Sequence, residues 1–386
     1  MNYNFDKICE RKNTDSSKWD TTKDGVIPMW VADMDFEVAP KIVESIIKKA
    51  NHKIFGYTII SDKYYEAEIS WSKKRFNFDL KKEWIEATTG VIPSLSTILQ
   101  TFCKKGDKVL IQSPVYHYFN IAIKRNELEI LTNNLVYKNS NYEINFEDFE
   151  NKLKNEKPKL FILCNPHNPV GRVWRKDELI KMGELCLKYN VLVISDEIHR
   201  DLVFKDYSFI PFASICEDFL QNSITCTSAT KTFNLAGLKA SNIIVANQDL
   251  RVKLNENLVK NEIKSLNIFG IESTISAYEY CEDWLEELLI YLEKNRDFLE
   301  NFIAKNIPNI KVIKAEATYL MWLDISNFGL DSTTFTKKLE EIGKVRVISG
   351  STFGENGDNF IRVNIACPKK ILEQALNALK FTIENL

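Results

Sequence analysis

Short apolar runs alternate with longer amphipathic stretches between residues 108 and 246. Within each run, apolar residues follow one another instead of alternating with polar ones, which indicates strands that are covered on both faces. Amphipathic stretches of helical period separate the runs. The pattern predicts a mostly parallel, doubly wound sheet of the α/β class. Its strands are expected over residues 108–112, 159–164, 191–195, 223–227 and 242–246.

The pattern changes after about residue 270. A long amphipathic stretch rich in glutamate and lysine predicts a helix over residues 284–304, and three shorter apolar segments predict strands. These strands cover residues 319–324, 345–349 and 359–366. Such a mixture is typical of a smaller α+β domain.

The amino-terminal part contains an aromatic and acidic segment, residues 26–39, followed by Pro40 at the expected first turn of a helix over 40–50. Apolar segments this early in a chain usually pack against a later domain. We therefore expect three parts: an amino-terminal segment (1–45) packed with the small domain, a large domain (46–280) and a small carboxy-terminal domain (281–386).

The composition of the 386-residue chain is that of a globular protein, with 45% hydrophobic and 27% charged residues. The net charge is −2, and basic residues are interleaved with acidic ones, so the sequence offers no basic face for nucleic acid. The amino terminus is polar, and no apolar run reaches the roughly 18 residues of a membrane span. These features predict a cytoplasmic protein.

The eight cysteines are scattered along the chain and form no C-x-x-C pair. Cys164 and Cys226 lie inside predicted strands, so reduced and mostly buried thiols explain the cysteines better than disulfides do. The four histidines show no ligand spacing with these cysteines, and the chain contains no H-E-x-x-H motif. We therefore expect no protein-bound metal.

Polar clusters follow four of the predicted strands. They cover residues 113–117, 165–169, 196–199 and 228–231. Open α/β sheets bind their ligands at the carboxyl ends of parallel strands, so we expect the four clusters to form one site.

Lys231 lies in a hydroxyl-rich turn directly after the predicted strand 223–227. A lysine with few charged neighbours can lose its proton and form a Schiff base with an aldehyde, and pyridoxal phosphate (PLP) is the aldehyde that suits this setting. Ser228 and Lys239 supply the hydroxyl and the cation that a phosphate needs. Taken alone, the stretch is equally compatible with an ordinary solvated lysine in a surface loop.

Two further segments offer phosphate ligands. The stretch after Thr88 opens a predicted helix with Gly90 and Pro93, and the start of a helix leaves backbone N–H groups free at the positive end of its dipole. Tyr57, in a glycine-aromatic loop, offers a phenol. Each signal is weak alone, because many helices begin this way without binding a ligand.

The remaining cluster residues suit the other groups of this cofactor and its substrate. Asp196 can keep a pyridine nitrogen protonated, Asn168 can donate to the phenolic oxygen, and Tyr116 can stack on the ring. Arg362 has the planar fork that holds a carboxylate at two places, although a surface ion pair explains a strand arginine equally well. An Asp-Glu pair after a strand also suits magnesium in nucleotide hydrolases, but the G-x-x-x-x-G-K-[ST] motif of those proteins is missing.

With these residues in view, the chain resembles the fold-type I PLP enzymes, the aspartate aminotransferase superfamily, over nearly its full length. The resemblance is closest to the MalY/PatB-type cystathionine beta-lyases, or C-S lyases. The stretches that carry it are residues 28–36, 55–58, 164–171, 195–199, 231–238 and 317–324. It implies a large domain with a mostly parallel seven-stranded sheet, a smaller α+β domain, and an amino-terminal segment beside the active-site entrance.

The resemblance also implies a role for each site residue. Lys231 would hold PLP as a Schiff base, Asp196 would pair with the pyridine nitrogen, Asn168 would bond the phenolic oxygen and Tyr116 would stack on the ring. His199 stands where many aminotransferases have a tyrosine, and Lys239 replaces an arginine. The expected phosphate ligands are Ser228, Lys239, the backbone at Val91 and Ile92 and the partner subunit's Tyr57. Gly90 and His199 are expected among the cofactor-binding residues, and the expected substrate contacts are Arg362, Trp30 and Tyr57.

The implied reaction is α,β-elimination on an L-cysteine S-conjugate such as cystathionine, which gives pyruvate, ammonia and a thiol. An aminotransferase is the main alternative, because Lys231, Asp196, Asn168 and Arg362 would serve either reaction. A non-catalytic regulator that keeps PLP as a structural element is a third possibility. Family members are homodimers with shared active sites, so a homodimer that acts on a small amino acid is implied as well.

Overall fold

The computed structural model describes residues 3–386, and its helices and strands are numbered here in chain order. The strands are β1 (Ile27–Pro28), β2 (Ile85–Thr88), β3 (Lys108–Ser113), β4 (Glu129–Asn134), β5 (Val136–Lys138), β6 (Asn141–Glu143), β7 (Leu160–Cys164), β8 (Leu192–Asp196), β9 (Ser223–Thr227), β10 (Ser241–Ile244), β11 (Lys311–Val312), β12 (Leu320–Asp324), β13 (Val345–Arg346), β14 (Ile348–Ser349) and β15 (Phe360–Asn364). The helices are α1 (Ser17–Asp20), α2 (Pro40–Ala50), α3 (Asp62–Phe76), α4 (Val91–Phe102), α5 (His117–Arg125), α6 (Phe146–Glu156), α7 (Lys176–Lys188), α8 (Glu217–Gln221), α9 (Ala229–Thr232), α10 (Gln248–Lys260), α11 (Ile268–Tyr280), α12 (Glu282–Asn306), α13 (Ser332–Lys338) and α14 (Lys369–Glu384).

Seven strands form the main sheet in the order β2-β10-β9-β8-β7-β3-β4. In this sheet β10 runs in the opposite direction to the other six strands. The predicted mostly parallel α/β sheet is therefore confirmed, and the five predicted strands are β3, β7, β8, β9 and β10. The apolar runs did not predict β2 and β4, which are the two edge strands and carry polar residues in their sequences Ile-Glu-Ala-Thr and Glu-Ile-Leu-Thr-Asn-Asn.

Neighbouring residues of one strand point to opposite sides of the sheet, and helices cover both sides. On β7, Phe161 and Leu163 pack in a core with residues of α6 and α7. Ile162 packs on the other face in a core with residues of α4, α5 and α10. All five residues of β7 are buried. This two-sided burial explains why its sequence reads as a continuous apolar run.

A second sheet, built from β11, β12, β15 and β14 in that order, is antiparallel and lies in the carboxy-terminal part of the chain. The predicted single strand over 345–349 is wrong, because it divides into two. Val345 pairs in parallel with Ile27, whereas Ile348 pairs with Arg362. The predicted helices over 40–50 and 284–304 are α2 and α12.

The amino-terminal segment contacts the carboxy-terminal part through backbone hydrogen bonds from Ile27 N to Lys344 O and from Met29 N to Arg346 O, each 2.8 Å long. The domain boundaries at 45 and 280 stay a prediction. Across residues 3–386, none of the helices has the length and apolar character that crossing a membrane requires.

Candidate active site

A cavity of about 580 Å³ lies at the carboxyl ends of the central strands of the main sheet. All four polar clusters predicted from the sequence contribute to its wall. The predicted site residues that line it are Gly90, Val91, Ile92, Tyr116, Asn168, Asp196, His199, Lys231 and Lys239. Parallel strands end at one edge of a sheet, and this common edge brings together residues that are more than 100 positions apart in the chain.

Lys231 lies in the short helix α9, which begins directly after the fully buried strand β9. Its Nζ atom donates a hydrogen bond of 2.6 Å to the backbone oxygen of Ala32. Burial, helped by the charge of Arg362 and opposed by the charges of Asp33 and Asp196, lowers the pKa of the Lys231 amine to about 8. A lysine of this kind carries a neutral, nucleophilic amine far more often than a solvated one does.

Asp196 ends β8 and is buried, with its Oδ1 atom accepting a hydrogen bond of 3.2 Å from the backbone N–H of Ile198. In the sheet it lies between Cys164 and Cys226, two buried thiols that give its carboxylate no positive partner. Burial raises the pKa of Asp196 to about 7, while the nearby Lys231 favours the charged form. A cation placed against this carboxylate would be held strongly, as the protonated nitrogen of a pyridine ring requires.

Arg362, on β15, is buried beside the cavity wall rather than exposed in a surface ion pair. Its Nη1 atom donates to Asn168 Oδ1 over 3.1 Å, and its Nη2 atom donates to the backbone oxygen of Trp30 over 2.9 Å. Among residues 3–386, its buried Nε atom has no hydrogen-bond partner. Burial lowers the pKa of Arg362 to about 10, so the guanidinium stays charged at neutral pH. The unused donor capacity suits a carboxylate ligand.

The phosphate end of the predicted site is formed by the start of α4. Gly90 precedes this helix with a φ of +156°, a backbone conformation that residues with a Cβ rarely adopt. The first N–H groups of a helix have no partner inside the helix, so those of Val91 and Ile92 are suited to an anion. Lys239 lines the same cavity and adds a positive charge.

Ser228 is not part of the cavity lining. Its hydroxyl caps α9 and bonds Ala240 O at 2.7 Å and Thr230 Oγ1 at 2.6 Å, and Thr230 is the hydroxyl residue that lines the cavity. The role of Ser228 as a phosphate ligand stays a prediction.

Trp30 and Tyr57 also lie outside the cavity lining. The Trp30 indole donates to Lys18 O and Thr22 Oγ1 at 3.2 Å each, so this residue reaches the site only through its backbone oxygen, which Arg362 holds. Tyr57 is fully exposed in a loop that borders a different groove. Its predicted contribution comes from a partner subunit, and it is free to point away from this chain.

His199 lines the cavity near Lys231, and among residues 3–386 its buried Nδ1 atom has no hydrogen-bond partner. Burial lowers the pKa of His199 to about 3, and the positive charges of Lys231 and Arg362 act in the same direction. The imidazole is therefore neutral and can donate from only one of its ring nitrogens.

Sequence reasoning missed several parts of the cavity wall. The backbone oxygen of Ala32 accepts a hydrogen bond from Lys231. Every residue type has such an oxygen, so the sequence cannot indicate which one is used. Two neighbours of the Lys231 amine outside the cavity lining also had no assigned role: Asp33, whose charge acts on the amine, and Tyr319, whose hydroxyl donates to the same Ala32 oxygen. Other unassigned lining residues are Thr89, Pro93, Cys164, Ile198, Ala236 and Ala240.

The arrangement fits PLP on chemical grounds. The cavity presents an amine of lowered pKa for the aldehyde, a buried carboxylate without an ion pair among residues 3–386 for the ring nitrogen, and a helix start with a lysine for the phosphate. Asn168 uses Oδ1 to accept from Arg362, which leaves its amide N–H groups for the phenolic oxygen.

A main sheet of seven strands with a cavity lysine at its strand ends defines a fold-type I enzyme. The chain belongs to the aminotransferase class I and II family, whose model matches residues 24–379. Cystathionine beta-lyase PatB from Bacillus subtilis (strain 168) is 41% identical over 382 residues, covering 98% of this chain and 99% of that protein. These findings confirm the predicted family and fold class.

Solved structures agree with this assignment. Cystalysin from Treponema denticola, which contains a pyridoxal 5'-phosphate cofactor, matches with a TM-score of 0.97 and 34% identity, and 100% of both chains is covered. A PLP-bound protein from Clostridium difficile 630, described provisionally as an aminotransferase, also matches with a TM-score of 0.97. It is 44% identical, and the match covers 99% of this chain and 100% of that one.

Proposed function

We propose that the protein is a PLP-dependent carbon–sulfur β-lyase that converts L-cystathionine or other L-cysteine S-conjugates to pyruvate, ammonia and a thiol. The observation that carries the proposal is the position of Lys231 in one cavity wall with Asp196 and Asn168, where burial lowers the pKa of its amine to about 8. The similarity to cystathionine beta-lyase PatB over nearly the whole of both chains supports the choice of reaction.

Lys231 performs the proton transfer in this proposal. Its amine would hold the aldehyde of the cofactor, and with substrate bound its free Nζ atom would take the proton from the substrate Cα. A pKa of about 8 lets the amine accept this proton and return it near neutral pH. When bound, PLP supplies the electron sink that stabilises the negative charge at Cα while the β-sulfur leaves.

The other residues hold and orient the reactants. Arg362 grips the substrate carboxylate and at the same time fixes the Asn168 amide, so substrate and cofactor are positioned by one side chain. Asp196 keeps the pyridine nitrogen protonated. The start of α4, with Lys239, anchors the phosphate.

A homodimer with shared active sites is the assembly that the exposed residues support. Ile54, Phe55, Tyr57 and Ile59 form a loop whose large apolar side chains are mostly exposed in one chain. Exposed apolar patches of this kind are typical of protein–protein interfaces. In the proposed dimer this loop packs against the partner subunit, and Tyr57 reaches the phosphate position of the partner's active site. The cytoplasmic location stays a prediction.

An aminotransferase is the second candidate, because the Clostridium difficile structure is described provisionally as one and is 44% identical. Lys231, Asp196, Asn168 and Arg362 would serve amino transfer equally well. The two reactions differ in their products, since amino transfer leaves the cofactor in the pyridoxamine form and needs a 2-oxo acid as acceptor.

Incubation of the PLP-loaded protein with L-cystathionine tests the proposal. We expect pyruvate, ammonia and free thiol in equal amounts, with the visible absorbance of the cofactor retained through many turnovers. Conversion to the pyridoxamine form without pyruvate would favour the aminotransferase. A bound cofactor that turns over no amino acid would favour the non-catalytic alternative.

A further inference from the structure

The backbone oxygen of Ala32 accepts hydrogen bonds from two side chains. Lys231 Nζ donates to it over 2.6 Å, and the hydroxyl of Tyr319 donates to it over 3.1 Å. Tyr319 is fully buried and directly precedes β12, so its ring is enclosed by neighbouring residues. A carbonyl oxygen has two lone pairs, and these two donors occupy both.

The segment around Ala32 does not depend on Tyr319 for its position. Asn364 Nδ2 donates to the oxygens of both flanking residues, Val31 and Asp33, at 2.6 Å each. These bonds fix the backbone immediately before and after Ala32. The hydroxyl of Tyr319 therefore adds little to the fold, and its position against the acceptor of the lysine calls for another explanation.

We propose that Tyr319 is a positioning residue for Lys231, whose hydroxyl takes one lone pair of the Ala32 oxygen so that the lysine amine is held against the other. The hydroxyl thereby restricts the directions from which Nζ can approach the carbonyl and keeps the amine aimed into the cavity. This inference rests on the proposed function, in which that amine takes the proton from the substrate Cα.

The hydroxyl also limits how well the Ala32 oxygen can stabilise a charged lysine. In Y319F the whole acceptor becomes available to the ammonium form, and a hydrogen bond to the charged form of a group favours that form. The charged or titratable groups that face the amine are Asp33, Asp196, His199 and Arg362, and all of them are unchanged in this variant. We expect the pKa of Lys231 to rise by about half to one pH unit.

The pKa of Lys231 can be measured without any reaction of the loaded enzyme. Apoprotein is labelled with a trace of an amine-reactive reagent over a range of pH, and mass spectrometry of the Lys231 peptide gives the labelling rate at each pH. Y319F is compared with the wild type and with Y142F. Tyr142 is a matched control because it is also buried, and its hydroxyl accepts a hydrogen bond from Trp322 instead of donating to Ala32.

The loaded enzyme supplies a second measurement. We expect Y319F to lose about tenfold in kcat for L-cystathionine with little change in KM, because the amine acts after the substrate is bound. The acid limb of the pH profile should move upward together with the Lys231 pKa. In Y142F neither quantity should change.

Three results would overturn the proposal: an unchanged Lys231 pKa in Y319F, an equal change in Y142F, or loss of the folded state in Y319F, which would make the hydroxyl structural. Failure of the proposed function is a separate result. If the wild type released no pyruvate while the labelling still showed the upward pKa change in Y319F alone, the positioning role would stand and the lyase reaction would fall.

Discussion

Arg362 and Asn168 are joined by a buried hydrogen bond of 3.1 Å from Nη1 to Oδ1, although 194 positions separate them in the chain. The bond connects β15 to the loop after β7. It decides which way the Asn168 amide faces, because its oxygen is turned toward the guanidinium and its N–H groups are left for the cavity. In the proposed function, this bond couples substrate recognition and cofactor orientation through one arginine.

Replacement of Arg362 by lysine should separate these two duties. Lysine keeps the positive charge but loses the planar fork, so it cannot hold Asn168, Trp30 O and a carboxylate together. We expect KM for L-cystathionine to rise about 10- to 100-fold, the range of a lost hydrogen bond to a charged group. Steady-state kinetics measure this change, and R296K, at a pair with the exposed Asp297, is the control. An unchanged KM would remove Arg362 from substrate binding.

Lys231→Ala should abolish both cofactor attachment and turnover. Without the amine no Schiff base can form, and no base lies in its place to take the Cα proton, so we expect the rate to fall at least about a thousandfold. The visible absorbance that borohydride removes in the wild type should be missing as well. K264A is a suitable control, because Lys264 forms a surface pair with Glu86. Wild-type turnover in K231A would refute the proposed mechanism at its first step.

Asp196 should make the apoprotein less stable at neutral and alkaline pH. Burial raises its folded-state pKa from 3.8 to about 7, so the folded protein binds the proton more tightly than the unfolded chain does. The stabilisation that the protonated Asp196 carboxyl gives the folded state is fully present below pH 3.8 and is lost as the pH rises through about 7. The difference of roughly three pH units corresponds to about 4 kcal/mol.

Asp196→Asn replaces the ionisable carboxyl by a neutral amide. It therefore removes the loss of stability that ionisation of Asp196 causes, and it tests the prediction. We expect the D196N apoprotein to have a higher Tm than the wild type at pH 8 and a similar Tm near pH 4, measured by circular dichroism. With PLP the order should reverse, since the wild-type carboxylate then has a cationic partner. D79N, at an exposed position, is the control. A higher wild-type Tm in the apoprotein at pH 8 would contradict the prediction.

The central strands could be predicted from sequence because burial on both faces imposes continuous apolar runs, as in β7 and β8. The edge strand β4 is covered less, and β2, although three of its four residues are buried, contains Glu86 and Thr88, so neither strand reads as an apolar run. The segment 345–349 reads as one strand because neither proline nor glycine divides its sequence Val-Arg-Val-Ile-Ser. Only the tertiary structure shows that Val345 pairs with Ile27 while Ile348 pairs with Arg362.

The site could be predicted as far as its side chains carry a recognisable chemistry. Lys231, Asp196 and Asn168 were expected at strand ends, and the structure places all three in one cavity wall. The Ala32 oxygen could not be predicted, because any residue offers a backbone acceptor. Ser228 is the opposite case. Its residue type suggests a free hydroxyl, but in the structure that hydroxyl is already bonded to Ala240 and Thr230.

The proposed shared active site predicts that two damaged variants restore each other's activity. Y57A should be impaired because the partner's site loses its phenol, and K231A should be inactive because its own site loses the amine. In a mixed dimer, the Y57A subunit keeps its lysine and receives Tyr57 from the K231A subunit, so one of the two sites is intact. Random exchange makes about half of the dimers mixed, which gives roughly a quarter of wild-type activity.

The measurement is pyruvate release after the two variants are denatured, mixed and refolded together. Each variant refolded alone is the baseline, and wild type treated in the same way gives the full activity. A second mixture, K231A with R362A, is the matched control, because both residues belong to the same chain's site and every mixed dimer then has two damaged sites. Recovery with Y57A but not with R362A would place Tyr57 in the neighbouring subunit's site. No recovery in either mixture would mean that Tyr57 acts within its own chain or not at all.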